Sequence, residues 1–185
     1  MEVQHVNIKI YAQEPVLIDL ADAIPVFHRW IQNRVTGEML IDVADYRHVP
    51  NGPGVLLVAH EAHYALDAEE GRFGLLYNRR QKHEGTTQEK LQQAHDAALA
   101  ACKRLEEEPE FRGKLKFNTG DVEVIFNDRG FTPNTPETYA GLEPELNAFF
   151  SRLWGEGSFD LRHAGEPRDR LRVQARIHAA ELQPV

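Results

Sequence analysis

The chain has 185 residues, with 21 Lys and Arg against 29 Asp and Glu, a formal net charge of −8 and one cysteine. A domain of this length buries roughly 70% of the surface its unfolded chain exposes, so it needs no staples, and the lone Cys102 excludes an internal disulfide framework. The acidic balance repels polyanions and sets nucleic acid aside. With neither a basic-then-apolar leader nor an apolar run long enough for a membrane span, the expectation is a soluble, cytoplasmic protein.

Val6, Ile8 and Ile10 alternate with polar neighbours, the period of a half-buried strand. Leu20, Ile24, Phe27 and Ile31 then recur at helical spacing; Asp19 or Asp22 can cap this helix and Thr36-Gly37 ends it. Alternation returns over Glu38 to Asp45, the second strand. The loop from Arg47 to Gly54 is broken up by Pro50, Gly52, Pro53 and Gly54.

Val55 to Leu66 reads either as a strand or as an Ala-containing helix stopped by Gly71. The strand is preferred, because a short, turn-bounded apolar run, Phe73 to Tyr77, follows it as a hairpin partner. Pairing Asp67 with Arg72 sets Tyr64 opposite Leu75 and His60 opposite Arg79. His60, Tyr64, Phe73, Leu75 and Tyr77 then share one face, and Glu61, His63, Leu76 and Asn78 the other.

Thr86 with Glu89 forms a capping box ahead of the stripe Leu91, His95, Ala98, Cys102 and Leu105. A second hairpin is expected from Leu115 and Phe117 through Asn118-Thr119-Gly120-Asp121 to Val122, Val124 and Phe126. Thr135 and Pro136 start a third helix with Leu142, Leu146, Phe149, Phe150 and Leu153 on its apolar side. A last strand pair runs from Phe159 to His163 and from Arg170 to His178, the return strand having a basic outer face. The expected architecture is one α+β domain over residues 1–185: a single largely antiparallel or mixed sheet of about eight strands with three helices packed on it.

Several standard chemistries are missing. Only Ser151 and Ser158 are present and neither sits in a nucleophile elbow. Cys102 lies on an apolar helical stripe, where a buried thiol is inert. Neither the dinucleotide fingerprint nor the P-loop occurs. His60-Glu61-Ala62-His63 falls one residue short of the zinc-protease spacing H-E-x-x-H.

The candidates that remain cluster between residues 45 and 80. Asp45, His48, His60, Tyr77 and Arg79 are the expected ligand-binding residues, since a loop feeding a rigid hairpin is where binding groups gather. His48, His60 and His63 are the weaker metal candidates, and no cofactor is otherwise expected. His60 and His63 can chelate one ion together only if the stretch is helical. Two functions follow from different classes. The favoured one is a non-enzymatic binding or assembly module, a homo-oligomer joined through the aromatics around Trp30, Phe149, Phe150 and Trp154, with any small-molecule ligand unnamed. The alternative is a small His/carboxylate enzyme, metal-dependent or acid-base, centred on the same loop and hairpin.

Overall fold

The computed structural model describes residues 3–178. Eight strands form one sheet: β1 (Val6–Ala12), β2 (Leu40–Asp45), β3 (Val55–Ala59), β4 (Ala62–Asp67), β5 (Gly74–Arg79), β6 (Phe117–Phe126), β7 (Phe159–Ala164) and β8 (Leu171–Ile177). Their spatial order is β2-β3-β4-β5-β1-β6-β8-β7, and every neighbouring pair is antiparallel. Three helices complete an α+β fold: α1 (Ala23–Asn33), α2 (Thr87–Glu107) and α3 (Pro136–Trp154). None is long and apolar enough to cross a membrane.

Alternation decides which face the helices cover. Ile8, Ile10, Leu57, Tyr64, Leu75 and Tyr77 on one half of the sheet, with Val122, Val124, Val173 and Ala175 on the other, join the helical stripes in one apolar core. Helix α1 packs over β2 and β3, α2 over β1 and β5, and α3 over β7 and β8. Of the four aromatics expected to form a self-association surface, Trp30, Phe149 and Phe150 are fully buried in this core and Trp154 is partly buried against it.

The helix starts follow their sequence signals. Thr86 Oγ1 accepts the Glu89 N–H while Glu89 Oε2 accepts the Thr86 N–H, the reciprocal capping box. Thr135 caps α3 ahead of Pro136. Helix α1 differs at both ends: Asp19 caps only a preceding 3-10 turn, and the helix stops at Arg34 in a left-handed conformation (φ 49°) rather than at Thr36-Gly37.

Two strand expectations are corrected. Val55 to Leu66 is two strands, β3 and β4, reversing at His60-Glu61, a turn that carries neither Gly nor Pro. The residues around Asn118-Thr119-Gly120-Asp121 do not turn; β6 runs straight through them, pairing β1 on one side and β8 on the other. Gly120 serves close approach here, since a Cβ at this position would stand 2.9 Å from the Ile177 side chain of β8. Splitting one expected strand and fusing two others leaves the total at eight.

The β4–β5 hairpin is present with its register moved by two residues: Asp67 pairs with Gly74, Tyr64 with Tyr77 and Ala62 with Arg79. A shift of two preserves sidedness, so Tyr64, Leu75 and Tyr77 do share the helix-covered face, while His63, Leu76 and Asn78 share the other.

The face without helices carries charge. Lys9 Nζ donates to Asp67 Oδ1 at 2.6 Å, both side chains buried. The β4–β5 connection folds towards β8, where Arg172 meets Glu69 at 3.0 Å, Glu70 at 2.7 Å and Glu123 at 3.6 Å. Arg72 stacks 3.5 Å over the Tyr11 ring and pairs with Asp121 at 2.6 Å. Burial raises the Glu123 pKa, and Arg172 partly opposes that rise.

Candidate functional site

The left-handed turn at Arg34 throws the chain off the end of α1 and carries it through Val35, Thr36 and Gly37 to the start of β2. Across from this segment, α2 presents the small residues Ala97, Ala100 and Ala101. Small side chains on one wall and an extended segment on the other leave a cleft of about 660 Å³ between α1, α2 and the entry to β2. That volume suits a small organic ligand. Trp30 and Val35 supply apolar wall, and Glu38, Tyr64 and Gln93 supply polar groups.

Glu38 is the centre of the polar set. Its Oε1 accepts the Tyr77 hydroxyl at 2.6 Å, and Arg79 Nη1 lies 3.8 Å from the same oxygen. The Tyr77 oxygen in turn accepts from Gln93 Nε2 at 2.9 Å and from Arg79 Nη1 at 3.4 Å. Tyr64 packs edge-on against Tyr77, ring centroids 5.1 Å apart. Glu38 Oε2 is shielded from solvent. Burial raises the Tyr64 pKa first, and the Glu38 charge, the neighbouring Tyr77 and a hydrogen bond from the Tyr64 hydroxyl to the Glu38 carboxylate raise it further, so this phenol is a second donor beside Glu38.

The electrostatics hold both phenols neutral. Tyr77 is pushed up to about 12, first by burial and then by its bond to Glu38. Tyr64 rises for the same leading reason. The arrangement is therefore a carboxylate with one oxygen held by the Tyr77 hydroxyl and the other shielded, the Tyr64 hydroxyl beside it, next to an apolar wall.

No known protein family, curated protein or solved structure matches this chain.

The candidates read from sequence divide into two groups. Tyr77 and Arg79 come together at Glu38. Asp45 and His48 lie at the far end of the β2–β3 connection, where Asp45 makes a two-pronged pair with Arg47 (2.9 and 2.8 Å) that lowers its pKa to about 2. His48 is exposed. His60 lies at the opposite end of β3, its Nε2 2.9 Å from Gln81 Nε2. His63 points to the face away from the helices, with its pKa lowered by burial and then by Arg80. His48, His60 and His63 are thus kept apart, and among the described residues no group of three His, Cys, Asp or Glu side chains is placed to hold a metal ion.

Glu38 and Gln93 carry no site signal in the sequence, Trp30 is expected there only in a contact between copies, and Tyr64 only as a neighbour of Tyr77 on one strand face. Only the shared face of Tyr64 and Tyr77 pointed to the site; Glu38 and Gln93 enter it through the packing of α1 and α2, which no local pattern encodes.

Proposed function

We propose that this chain is a non-enzymatic binding module that holds a small organic ligand in the α1–α2 cleft. The observation that carries the reading is the cleft itself: about 660 Å³, walled by Trp30, Val35 and the alanines of α2, with Glu38, Tyr64 and Gln93 as its polar groups. An apolar pocket of this size with a few convergent polar side chains is what a small-molecule site requires. The setting proposed is cytoplasmic, which suits a chain whose one thiol, Cys102, is buried and reduced. Neither nucleic acid nor a membrane is its partner in this reading.

A fragment screen followed by NMR tests it. Binding should move the Trp30 indole N–H signal together with the amide signals of Ala97 and Ala100. Hits that move only signals remote from these residues would refute the cleft as the site. An enzyme at this place would have to work with Glu38 and the two tyrosines, because His48, His60 and His63 lie elsewhere.

Self-association is a second reading, supported by a separate observation. Of the seven large hydrophobics exposed among the described residues, Met39, Ile41, Tyr46 and Val49 lie on edge strand β2 or immediately beside it. An exposed apolar edge favours a second copy. Asp42 Oδ1 accepts the Val43 N–H at 2.8 Å, taking up a donor that an added strand would use, so the contact proposed is between side chains. Sedimentation equilibrium of the wild type and of Ile41→Lys checks this; a wild-type monomer at micromolar concentration refutes it.

A further inference from the structure

We infer that the β4–β5 connection, Ala68 to Arg72, is an ion-latched strap, closed over the helix-free face of the sheet by its charge pairs and released when those pairs are screened or removed. Its contacts require a fold back across the sheet. β8 is the third strand from β5, with β1 and β6 between them. Neighbouring strands about 4.8 Å apart put it roughly 14 Å away. Even so, Glu69 and Glu70 meet Arg172 of β8 at 3.0 and 2.7 Å. Arg72 marks the path, its guanidinium 3.5 Å over the Tyr11 ring of β1 and 2.6 Å from Asp121 of β6. Lys9 of β1 and Glu123 of β6 are 2% and 1% exposed on a face that no helix covers, and the strap is the segment between them and solvent.

Charge is what holds the strap down. None of Ala68, Glu69, Glu70, Gly71 and Arg72 is buried, and none brings a large apolar side chain. The two ends are anchored separately. Asp67, buried with Lys9, accepts the Glu69 N–H at 2.9 Å, and Phe73 packs against the core on the helix-covered side. Between these anchors the attachments are Arg172 with Glu69 and Glu70, Arg72 with Asp121 and Tyr11, and a longer contact from Arg170 to Glu69 at 3.8 Å. The Glu69, Glu70 and Arg72 side chains are 34%, 57% and 35% exposed, within reach of salt. Pairs with such exposed members are individually weak and are screened by ions. A cover attached in this way lifts without disturbing the core, and lifting it uncovers Lys9, Tyr11, Glu123 and Arg172 on the face opposite the cleft.

Trypsin reads the latch directly, because the Arg72–Phe73 bond lies in the strap and the Arg72 side chain is engaged while the strap is closed. Cleavage of a transiently opened segment follows the population of the open form. The Arg168–Asp169 bond, in the β7–β8 turn where Arg168 is 84% exposed, is the internal reference for the protease. The ratio of cuts at Arg72 to cuts at Arg168 should rise roughly threefold or more between about 50 mM and about 1 M sodium chloride. In the double variant Glu69→Gln with Glu70→Gln, the ratio should be raised roughly fivefold or more at the lower salt and should respond little to added salt. Arg172 keeps Glu123 at 3.6 Å there, so the variant strands no buried charge, and circular dichroism checks its fold.

Glu84→Gln with Glu156→Gln removes the same charge from exposed positions elsewhere and should leave the ratio at its wild-type value. A wild-type ratio that stays flat with salt, or one that the Glu69/Glu70 variant leaves unchanged, overturns the latch: the anchored ends would then be holding the strap. An equal rise in the Glu84/Glu156 control overturns it too, since net charge alone would be responsible. The salt series is run on the wild-type chain, so it decides the matter even if the strap variant does not fold.

Discussion

The Tyr77 hydroxyl donates to Glu38 Oε1 at 2.6 Å, tying the middle of β5 to the segment that leads from α1 into the edge strand β2. The bond crosses β4 and β3, which lie between β5 and β2 in the sheet. Tyr77 is fully buried, so its hydroxyl has no water to fall back on. In Tyr77→Phe, Glu38 Oε1 keeps only Arg79 at 3.8 Å and Gln93 loses its acceptor. The expected loss is about 1–3 kcal/mol of stability, read from urea unfolding. Circular dichroism should be unchanged, since the ring still fills its place.

The same residue predicts the alkaline limb of stability. A phenol whose pKa goes from 10.0 unfolded to about 12 folded keeps its proton longer in the native state. Above pH 10 or so the unfolded chain binds fewer protons than the folded one, so stability falls as pH rises. It is fully present below the unfolded value and has been lost by the folded one, a drop of roughly 2–3 kcal/mol from this group. Tyr11 and Tyr64 shift in the same direction and add to the fall. Urea midpoints taken from about pH 9 to about pH 11 should decline, and less steeply in Tyr77→Phe. A flat profile would show that these phenols ionise as freely in the folded state as in water.

Gly54 opens β3 with φ +61°, and a Cβ there would lie 2.0 Å from the Leu66 carbonyl oxygen on β4. Alanine meets both backbone strain and a contact that no side-chain rotation relieves. Gly54→Ala should cost about 1–3 kcal/mol, measured as a lower thermal midpoint. Gly113, which also has positive φ but has nothing within 4 Å of its Cβ position, provides the control. Gly113→Ala should lose less.

What was legible in the sequence was what local rules determine. The Thr86/Glu89 box and the Thr135-Pro136 start place α2 and α3 to the residue, because a capping side chain reaches only its own first turn. The alternation of β8 reads correctly because one face is core and the other paired charge. Pairing distance is another matter. The β4–β5 register slipped by two because Ala68 to Phe73 holds a 3-10 turn with Glu70 at φ +60°, longer than the loop assumed. Asn118 to Asp121 looked like a turn and is a strand, since β1 and β8 supply partners on both sides. The cleft was half visible: Tyr77 and Arg79 share β5, whereas Trp30, Glu38 and Gln93 reach them from three other parts of the chain.

The Lys9–Asp67 pair offers the sharpest test of the face without helices. Both side chains are 2% exposed, and Lys9 is among the largest fully buried side chains. Asp67 Oδ1 also accepts the Glu69 N–H at 2.9 Å, so the pair anchors the connection that brings Glu69 and Glu70 to Arg172. Lys9→Met leaves Asp67 without its cation in a shielded place, and removing one partner of a buried pair costs about 3–5 kcal/mol. Replacing both, Lys9→Met with Asp67→Asn, removes both charges and keeps an acceptor for Glu69. The double variant should therefore regain much of the loss, and the cycle of urea unfolding energies should show strong coupling. Additive losses would mean that each residue acts through its own packing, with the ion pair contributing nothing. The Glu69–Arg172 contact gives the second readout: amide exchange at Glu69 and Glu70 should quicken in Lys9→Met and return towards wild type in the double variant, because the connection is held by the Asp67 oxygen that the lysine orients.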